Sequence, residues 1–306
     1  MRNRFINNLK SIFEYDKNAI LMTGDLGFGV LTDFIEKYSK QFFNAGIAEQ
    51  NMMSMASGLS HCGKNVFVYS ISNFDTLRCI EQIRNDCCYP NANVKIISVG
   101  AGMAYGALGM SHHTTEDIAM MRALPNMTIF SPASKKEVDL ITPFLKKKLG
   151  TCYIRLGKGG ENEIHNGEIK NYNFGDPIVI DNKGKILLLS TGAISAETLE
   201  AKEILLQKGI QVAMATMPII KPVNESAIIN MLSRYEAVVT IEEHSVVGGL
   251  GGLIAELIAT SDVSARLYRM GMNETYTSIV GDRKYLLDYY GFGVDAIVNK
   301  VLELMK

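Results

Sequence analysis

Glu49 lies in the run Gly46-Ile47-Ala48-Glu49-Gln50-Asn51, directly after the β-rich segment Gln41-Phe42-Phe43 and at the start of a helical pattern. In open parallel sheets, ligands bind beyond the carboxyl ends of strands, so a carboxyl group at such a junction stands where it can exchange a proton with a bound molecule. An acid in the first turn of a helix is also favoured by the helix dipole, with no ligand involved. From this residue by itself both readings stay open. The pair His112-His113 invites a metal reading, but adjacent side chains point apart and no third ligand has a recognisable spacing. Gly248-Gly249-Leu250-Gly251-Gly252 before a helix could hold an anion at the helix N-terminus, although a tight strand-to-helix connection is the simpler account.

The first half of the chain alternates short apolar runs with helical stretches that could position these groups. Ala19-Ile20-Leu21-Met22-Thr23 predicts a buried strand, with Gly24-Asp25-Leu26-Gly27 as its turn. Val66-Phe67-Val68-Tyr69-Ser70 and Val94-Lys95-Ile96-Ile97-Ser98-Val99 predict two more, and helical patterns occupy 48–63, 74–88 and 115–124. Pro125-Asn126 breaks the chain before a strand at 127–130, and a helix over 134–148 leads to the strand Cys152-Tyr153-Ile154. Strands separated by helices imply right-handed crossovers and a parallel sheet. Residues 157–173 are rich in Gly, Asn and charge without apolar periodicity, and read as a linker. A second series follows, with strands at 186–190, 210–216, 237–242 and 265–270 and helices at 193–208, 225–232 and from the Gly-rich turn to 259. The expected fold is α/β with two open doubly wound domains, residues 1–170 and a smaller one at 171–306.

Composition narrows the function. The 31 basic and 32 acidic residues leave a net charge of −1, so nothing global attracts nucleic acid or an anionic membrane, and any anion site must be local. The longest apolar stretch, 246–258, is Gly-rich, short and interrupted by Glu256, and no secretory core follows the N-terminus. Five cysteines, an odd number without a CxxC pair, suit reduced thiols and a cytoplasmic location.

Taken together, the motifs resemble the transketolase family. Gly46-Ile47-Ala48-Glu49-Gln50-Asn51-Met52 resembles the signature of its pyrimidine-binding domain. The segment from Val66 to Arg84, then Ser111-His112-His113, Glu116-Asp117-Ile118-Ala119, Met121-Arg122-Ala123-Leu124-Pro125-Asn126 and Ser131-Pro132-Ala133, follow in register. Ile241-Glu242-Glu243-His244 with Gly248-Gly249-Leu250-Gly251 resembles the family's C-terminal domain. The resemblance implies thiamine diphosphate (ThDP) as cofactor, with Glu49 hydrogen-bonded to its aminopyrimidine ring nitrogen. Burial disfavours a carboxylate anion, so such an acid can supply a proton, which a glutamine cannot. By the same resemblance Phe74 stacks on the aminopyrimidine, Asp25 and Leu26 lie against the thiazolium side, and Ile71 replaces one of the family's cofactor-side rings. His112 becomes the histidine facing a donor carbonyl, and Lys158 stands where relatives carry an arginine near the substrate's phosphate end. Bland alternatives persist for each: Phe74 as a core residue, Asp25 as a cap, Lys158 as a solvated lysine.

Members of this family also need a Gly-Asp-Gly motif to hold Mg2+ and the diphosphate, and Gly24-Asp25-Leu26 is not one. The resemblance therefore implies the C-terminal subunit of a split transketolase, completed by an N-terminal subunit in an α2β2 heterotetramer. Some substrate positions depart from the family: Val99-Gly100 stands for Thr-His, and Ala107-Leu108-Gly109 for Glu-Asp-Gly. A modified or nucleotide-linked sugar donor fits these losses. Alternatives are a 2-oxoacid-decarboxylating branch, like 1-deoxyxylulose-5-phosphate synthase or the beta subunit of 2-oxoacid dehydrogenases, and a non-catalytic subunit.

Overall fold

Helix α1 (Arg2–Tyr15) turns Phe5, Ile6, Leu9, Ile12 and Phe13 inward, a one-face spacing that needs a sheet beneath it. The structure, a computed structural model, describes residues 1–146 and 150–306. After α1 come β1 (Ala19–Thr23), α2 (Thr32–Lys37), β2 (Phe42–Asn44), α3 (Glu49–His61), β3 (Asn65–Ile71), α4 (Ser72–Asp75), α5 (Ile80–Gln82) and β4 (Val94–Val99). Then follow α6 (Asp117–Ala123), β5 (Met127–Phe130), α7 (Lys135–Leu145) and β6 (Thr151–Leu156). The second half contains β7 (Ile178–Asp181), β8 (Ile186–Thr191), α8 (Ser195–Gln207), β9 (Ala213–Thr216), β10 (Ile219–Lys221) and α9 (Glu225–Leu232). It closes with β11 (Ala237–Ser245), α10 (Leu250–Ala259), β12 (Arg266–Met272), α11 (Arg283–Tyr289) and α12 (Val294–Leu304).

The strands form a seven-stranded sheet, order β10-β5-β6-β4-β3-β1-β2, and a five-stranded sheet, order β12-β11-β8-β9-β7. Pairing is parallel except at one edge of each, where β10 and β7 run antiparallel. Central strands such as β1, β4 and β6 are buried along their whole length, as parallel strands covered on both faces must be. One apolar cluster, including Met52, Val68, Ile118, Leu189, Val238 and Ile254, is shared by both sheets. A second lies with the residues of α1 and α7, and a third with those of α8 and α12.

The doubly wound α/β architecture agrees with the expectation, while several elements differ. Residues 74–88 are no single helix: the chain passes through α4, a 3-10 turn at Leu77–Cys79, α5 and a π-helical stretch at Ile83–Cys88. The Thr76 hydroxyl donates to the Ser72 carbonyl, a local bond that competes with regular helix continuation. The strand expected at 210–216 starts only at Ala213, because Ile210 is still closing α8 through its N–H bond to the Leu205 carbonyl. The helix expected over 134–148 ends at Leu145, and residues 147 and 148 lie outside the described residues. Residues 157–173 contain neither helix nor strand, yet Phe174 just beyond stacks edge-on against Phe130 and Phe144. Strand β10 then carries the chain back into the first sheet, across the expected border near residue 170.

Candidate functional site

The candidate residues follow the carboxyl ends of five neighbouring parallel strands: Asp25 and Leu26 after β1, Glu49 after β2, Phe74 after β3, His112 after β4 and Lys158 after β6. Ile71 is the last residue of β3, paired in register with Val99. That is the edge where an open parallel sheet binds ligands.

Glu49 opens α3 and is only 3% exposed. The β1 exit turn lies flat against it: a Cβ at Gly24 would meet the Gly46 carbonyl oxygen at 3.2 Å and Glu49 Cγ at 3.4 Å. Gly46, at φ +70°, turns β2 into the helix through a conformation that favours glycine. Asp25 is exposed, at φ +58°, and is held there by Asn44. The Asn44 amide donates to Asp25 Oδ1 at 3.0 Å, and the Asp25 N–H donates to Asn44 Oδ1 at 2.9 Å. Leu26 is half-buried, and its carbonyl accepts from the Thr23 hydroxyl at 3.1 Å.

Arg78 donates from Nη1 to Glu49 Oε2 at 2.7 Å, and its guanidinium carbon lies 4.6 Å from the centre of the Phe74 ring. The chain of contacts continues outward. The Phe74 and His112 rings are 5.1 Å apart at 64°, His112 and Tyr105 are 6.4 Å apart, and Lys158 Nζ sits 5.1 Å from the Tyr105 ring centre. Glu49, Phe74, His112 and Lys158 are thus brought into one row, linked by Arg78 and Tyr105.

The two histidines diverge. His112 is half-buried, with Nδ1 3.0 Å from Ser111 Oγ, and its loop is tied to α4 by the Asn73 amide donating to the Ser111 carbonyl at 2.6 Å. His113 is buried on the other side, Nδ1 2.7 Å from the Thr277 hydroxyl and Nε2 3.2 Å from the Gly106 carbonyl. A carbonyl only accepts, so Nε2 carries the proton and Nδ1 accepts from Thr277. Burial holds the His113 pKa below its usual value, in keeping with a neutral ring that anchors the loop.

Gly100, at φ +89°, lies under a ring. A Cβ there would fall 2.0 Å from Tyr105 Cε2, so the space above the glycine belongs to the tyrosine. Lys158 is exposed and shares a cavity of about 250 Å³ with Ala104, Glu161, Glu197 and Arg283. Beneath Phe74, Asp75 is fully buried: Ser98 Oγ donates to Oδ1 at 2.6 Å, and Oδ2 has no partner among the described residues. Burial pushes the Asp75 pKa well above the usual carboxylate range.

The Gly-rich turn at 248–252 holds an anion of its own. The N–H groups of Leu250 and Gly251 donate to the two oxygens of Glu242 at 2.6 and 2.8 Å. The carboxylate occupies the start of α10, so of the two readings of this turn the tight strand-to-helix connection holds and the external anion site does not. Arg78, Tyr105 and Asp75 are the neighbours that sequence reasoning missed. Only for Tyr105 was there a hint, the loss of a side chain at Gly100.

Residues 1–159 match the family model described as transketolase, pyrimidine binding domain, and residues 177–297 match transketolase, C-terminal domain. A putative transketolase C-terminal section from Methanocaldococcus jannaschii is 35% identical over 308 residues, spanning 100% of this chain and 96% of that protein. A subunit of the apulose-4-phosphate transketolase of Actinobacillus succinogenes is 35% identical over 276 residues, covering 90% of this chain and 88% of that one. Among solved structures, a split gene transketolase described as an inactive beta4 tetramer superposes with a TM-score of 0.86 at 34% identity, covering 99% of this chain and 96% of that chain. With both domain models in sequence, and full-length likeness in sequence and structure, the chain belongs to the transketolase family.

Proposed function

We propose that this chain is the pyrimidine-binding, C-terminal subunit of a ThDP-dependent enzyme that transfers a two-carbon ketol unit from a ketose or modified-sugar donor to an aldehyde. The observation that carries the reading is Glu49: a buried carboxyl at the binding edge of the sheet, in contact with a flat cationic group that lies by Phe74. Such a pocket suits an aminopyrimidine, which needs an acid for its ring nitrogen and an aromatic face for its plane.

When bound, the cofactor supplies the nucleophilic carbon and accepts the electron pair of the broken C–C bond. Glu49 holds and exchanges the proton at the ring nitrogen, and Phe74 keeps the plane. Asp25, Leu26 and Ile71 border the cofactor. His112, whose Nδ1 is engaged by Ser111, turns Nε2 to the donor's carbonyl oxygen. Lys158 receives the anionic far end of the substrate as a point charge. The diphosphate and Mg2+ belong to an N-terminal partner with a Gly-Asp-Gly motif, in an α2β2 assembly. The relatives' names, one a C-terminal section and the other a single subunit of a transketolase, support that division. Domains at 1–170 and 171–306 are part of the same proposal. So is a cytoplasmic setting, supported by five free thiols and by the absence, among the described residues, of a helix long and apolar enough to cross a membrane.

Tyr105 over Gly100 and the exposed Leu108 replace groups that read sugar hydroxyls in the family, so modified sugars come first in a donor screen. Release of carbon dioxide from pyruvate would instead assign the chain to the decarboxylating branch. The decisive variant is Glu49→Gln in the reconstituted pair. Turnover is expected to fall by about 10²–10⁴-fold, the usual contribution of a positioned acid–base group. Wild-type turnover in that variant would remove Glu49 from the chemistry and the proposal with it.

A further inference from the structure

Arg78 meets both requirements of the ring that the proposed site is built for. It is planar, it hydrogen-bonds Glu49 at 2.7 Å, and it lies 4.6 Å from the centre of the Phe74 ring. On the functional reading above, a cofactor pyrimidine must make the same two contacts. One side chain and one ring cannot both do so. We infer that Arg78 is a displaceable plug: in the free chain its guanidinium fills the pyrimidine position, and it must swing out before the cofactor ring can enter.

The direction of the hydrogen bond supports this. Glu49 Oε2 accepts from Arg78 Nη1, whereas the proposed role requires the carboxyl to give a proton to a ring nitrogen. The plug is also able to leave. Its side chain is 44% exposed while that of Glu49 is 4% exposed, so a rotated guanidinium enters water and the acid stays in place for the incoming ring. The backbone need not move: Arg78 sits in the 3-10 turn Leu77–Cys79, and its carbonyl is anchored by the Gln50 amide at 3.1 Å. Displacement is therefore a side-chain rotation around a fixed turn. Plugging would also keep Glu49 and Phe74 covered until the diphosphate end of the cofactor has been captured elsewhere.

A plug lowers apparent affinity by the fraction of molecules that stand open. A half-exposed ion pair together with a ring contact favours the plugged form by on the order of tenfold. The test is calorimetric titration of ThDP with Mg2+ into the full chain, alone and with its partner subunit, for wild type, Arg78→Ala, Glu49→Gln and the double variant. Arg78→Ala is expected to bind about tenfold more tightly than wild type. In the Glu49→Gln background the gain should largely vanish, since the acid that holds the plug is gone. Unchanged or weaker binding by Arg78→Ala would overturn the plug and make the arginine a fixed wall of the site. If no form binds ThDP even with the partner present, the cofactor reading itself falls, and the plug falls with it.

Discussion

Asp75 shows how closely the residues of this site depend on their surroundings. Its carboxyl sits one position beyond Phe74, fully buried, with one oxygen accepting from Ser98 and the other without a partner among the described residues. Burial, with the nearby Glu49 charge adding to it, holds the folded-state pKa well above the reference value of 3.8. A raised folded-state pKa stabilises the protein fully below the unfolded value and loses that contribution as pH rises through the folded value. Asp75→Asn keeps the shape without the ionisation, so it is expected to melt above wild type at about pH 8, with the gap closing toward about pH 4. Parallel melting profiles for the two proteins across that range would show that Asp75 is not the source. The five thiols divide by the same physics. Cys62 is exposed, while burial pushes Cys79 and Cys152 up to about 12, out of the range in which they would react.

At the scale of elements, α10 begins on a carboxylate carried by the strand before it. Glu242 accepts from the first two N–H groups of that helix, and a Cβ at Gly249 would fall 2.0 Å from its Oε2. Gly249 thus admits the acid, while Gly248 and Gly251 make room for Ala119 and Arg269. Glu242→Ala should lower the unfolding free energy by about 2–3 kcal/mol, because two buried donors lose a charged acceptor. Urea denaturation measures it, and a change below about 0.5 kcal/mol, the level of a neutral surface substitution, would mean that water replaces the carboxylate freely. The start of α7 works on the same principle, with Ser134 as its cap and Glu137 reaching one residue beyond it. Ser134 accepts from the Glu137 N–H, and the Glu137 carboxylate reaches back to the Ala133 N–H.

Across the whole molecule, Arg155 fastens the two halves. It donates from Nε to Asp117 Oδ2 at 2.6 Å and from Nη2 to the carbonyls of Thr114 at 3.2 Å and Glu243 at 2.9 Å. Glu243 in turn accepts from the Met103 N–H at 2.7 Å and from Arg283 Nε at 2.9 Å, and Arg283 also pairs with Glu197. Burial works against the Asp117 anion, but the Arg155 charge, His244 and the hydrogen bonds from Arg155 and Tyr153 together outweigh it and leave the pKa lowered. Arg155→Met strands that anion inside the protein and should cost about 3–5 kcal/mol. Arg155→Met combined with Asp117→Asn should recover part of the loss. Denaturation curves of Arg155→Met, Asp117→Asn and the double variant decide it, and losses that simply add would show that the two charges are not coupled.

The order of types along the chain by itself determined the strands β1, β3, β4 and β8 and the helices α3 and α9, because continuous apolar runs and one-faced periodicity are local properties. It also determined that Glu49, Phe74, His112 and Lys158 lie beyond strand ends, since each follows directly on such a run or the loop after it. The one-faced pattern of α1, with Phe5, Ile6, Leu9, Ile12 and Phe13 buried, is equally local. The edge strands β7 and β10 become strands only by antiparallel pairing at the sheet edges, which no local pattern encodes. Tertiary structure alone decided that Arg78 reaches back 29 residues to Glu49 and that His113 finds Thr277 across 164 residues. It also decided that the anion of the Gly-rich turn is internal. Such pairings depend on which loops the folded sheets bring to one edge, and no local spacing encodes a contact between side chains that meet only after the strands have packed.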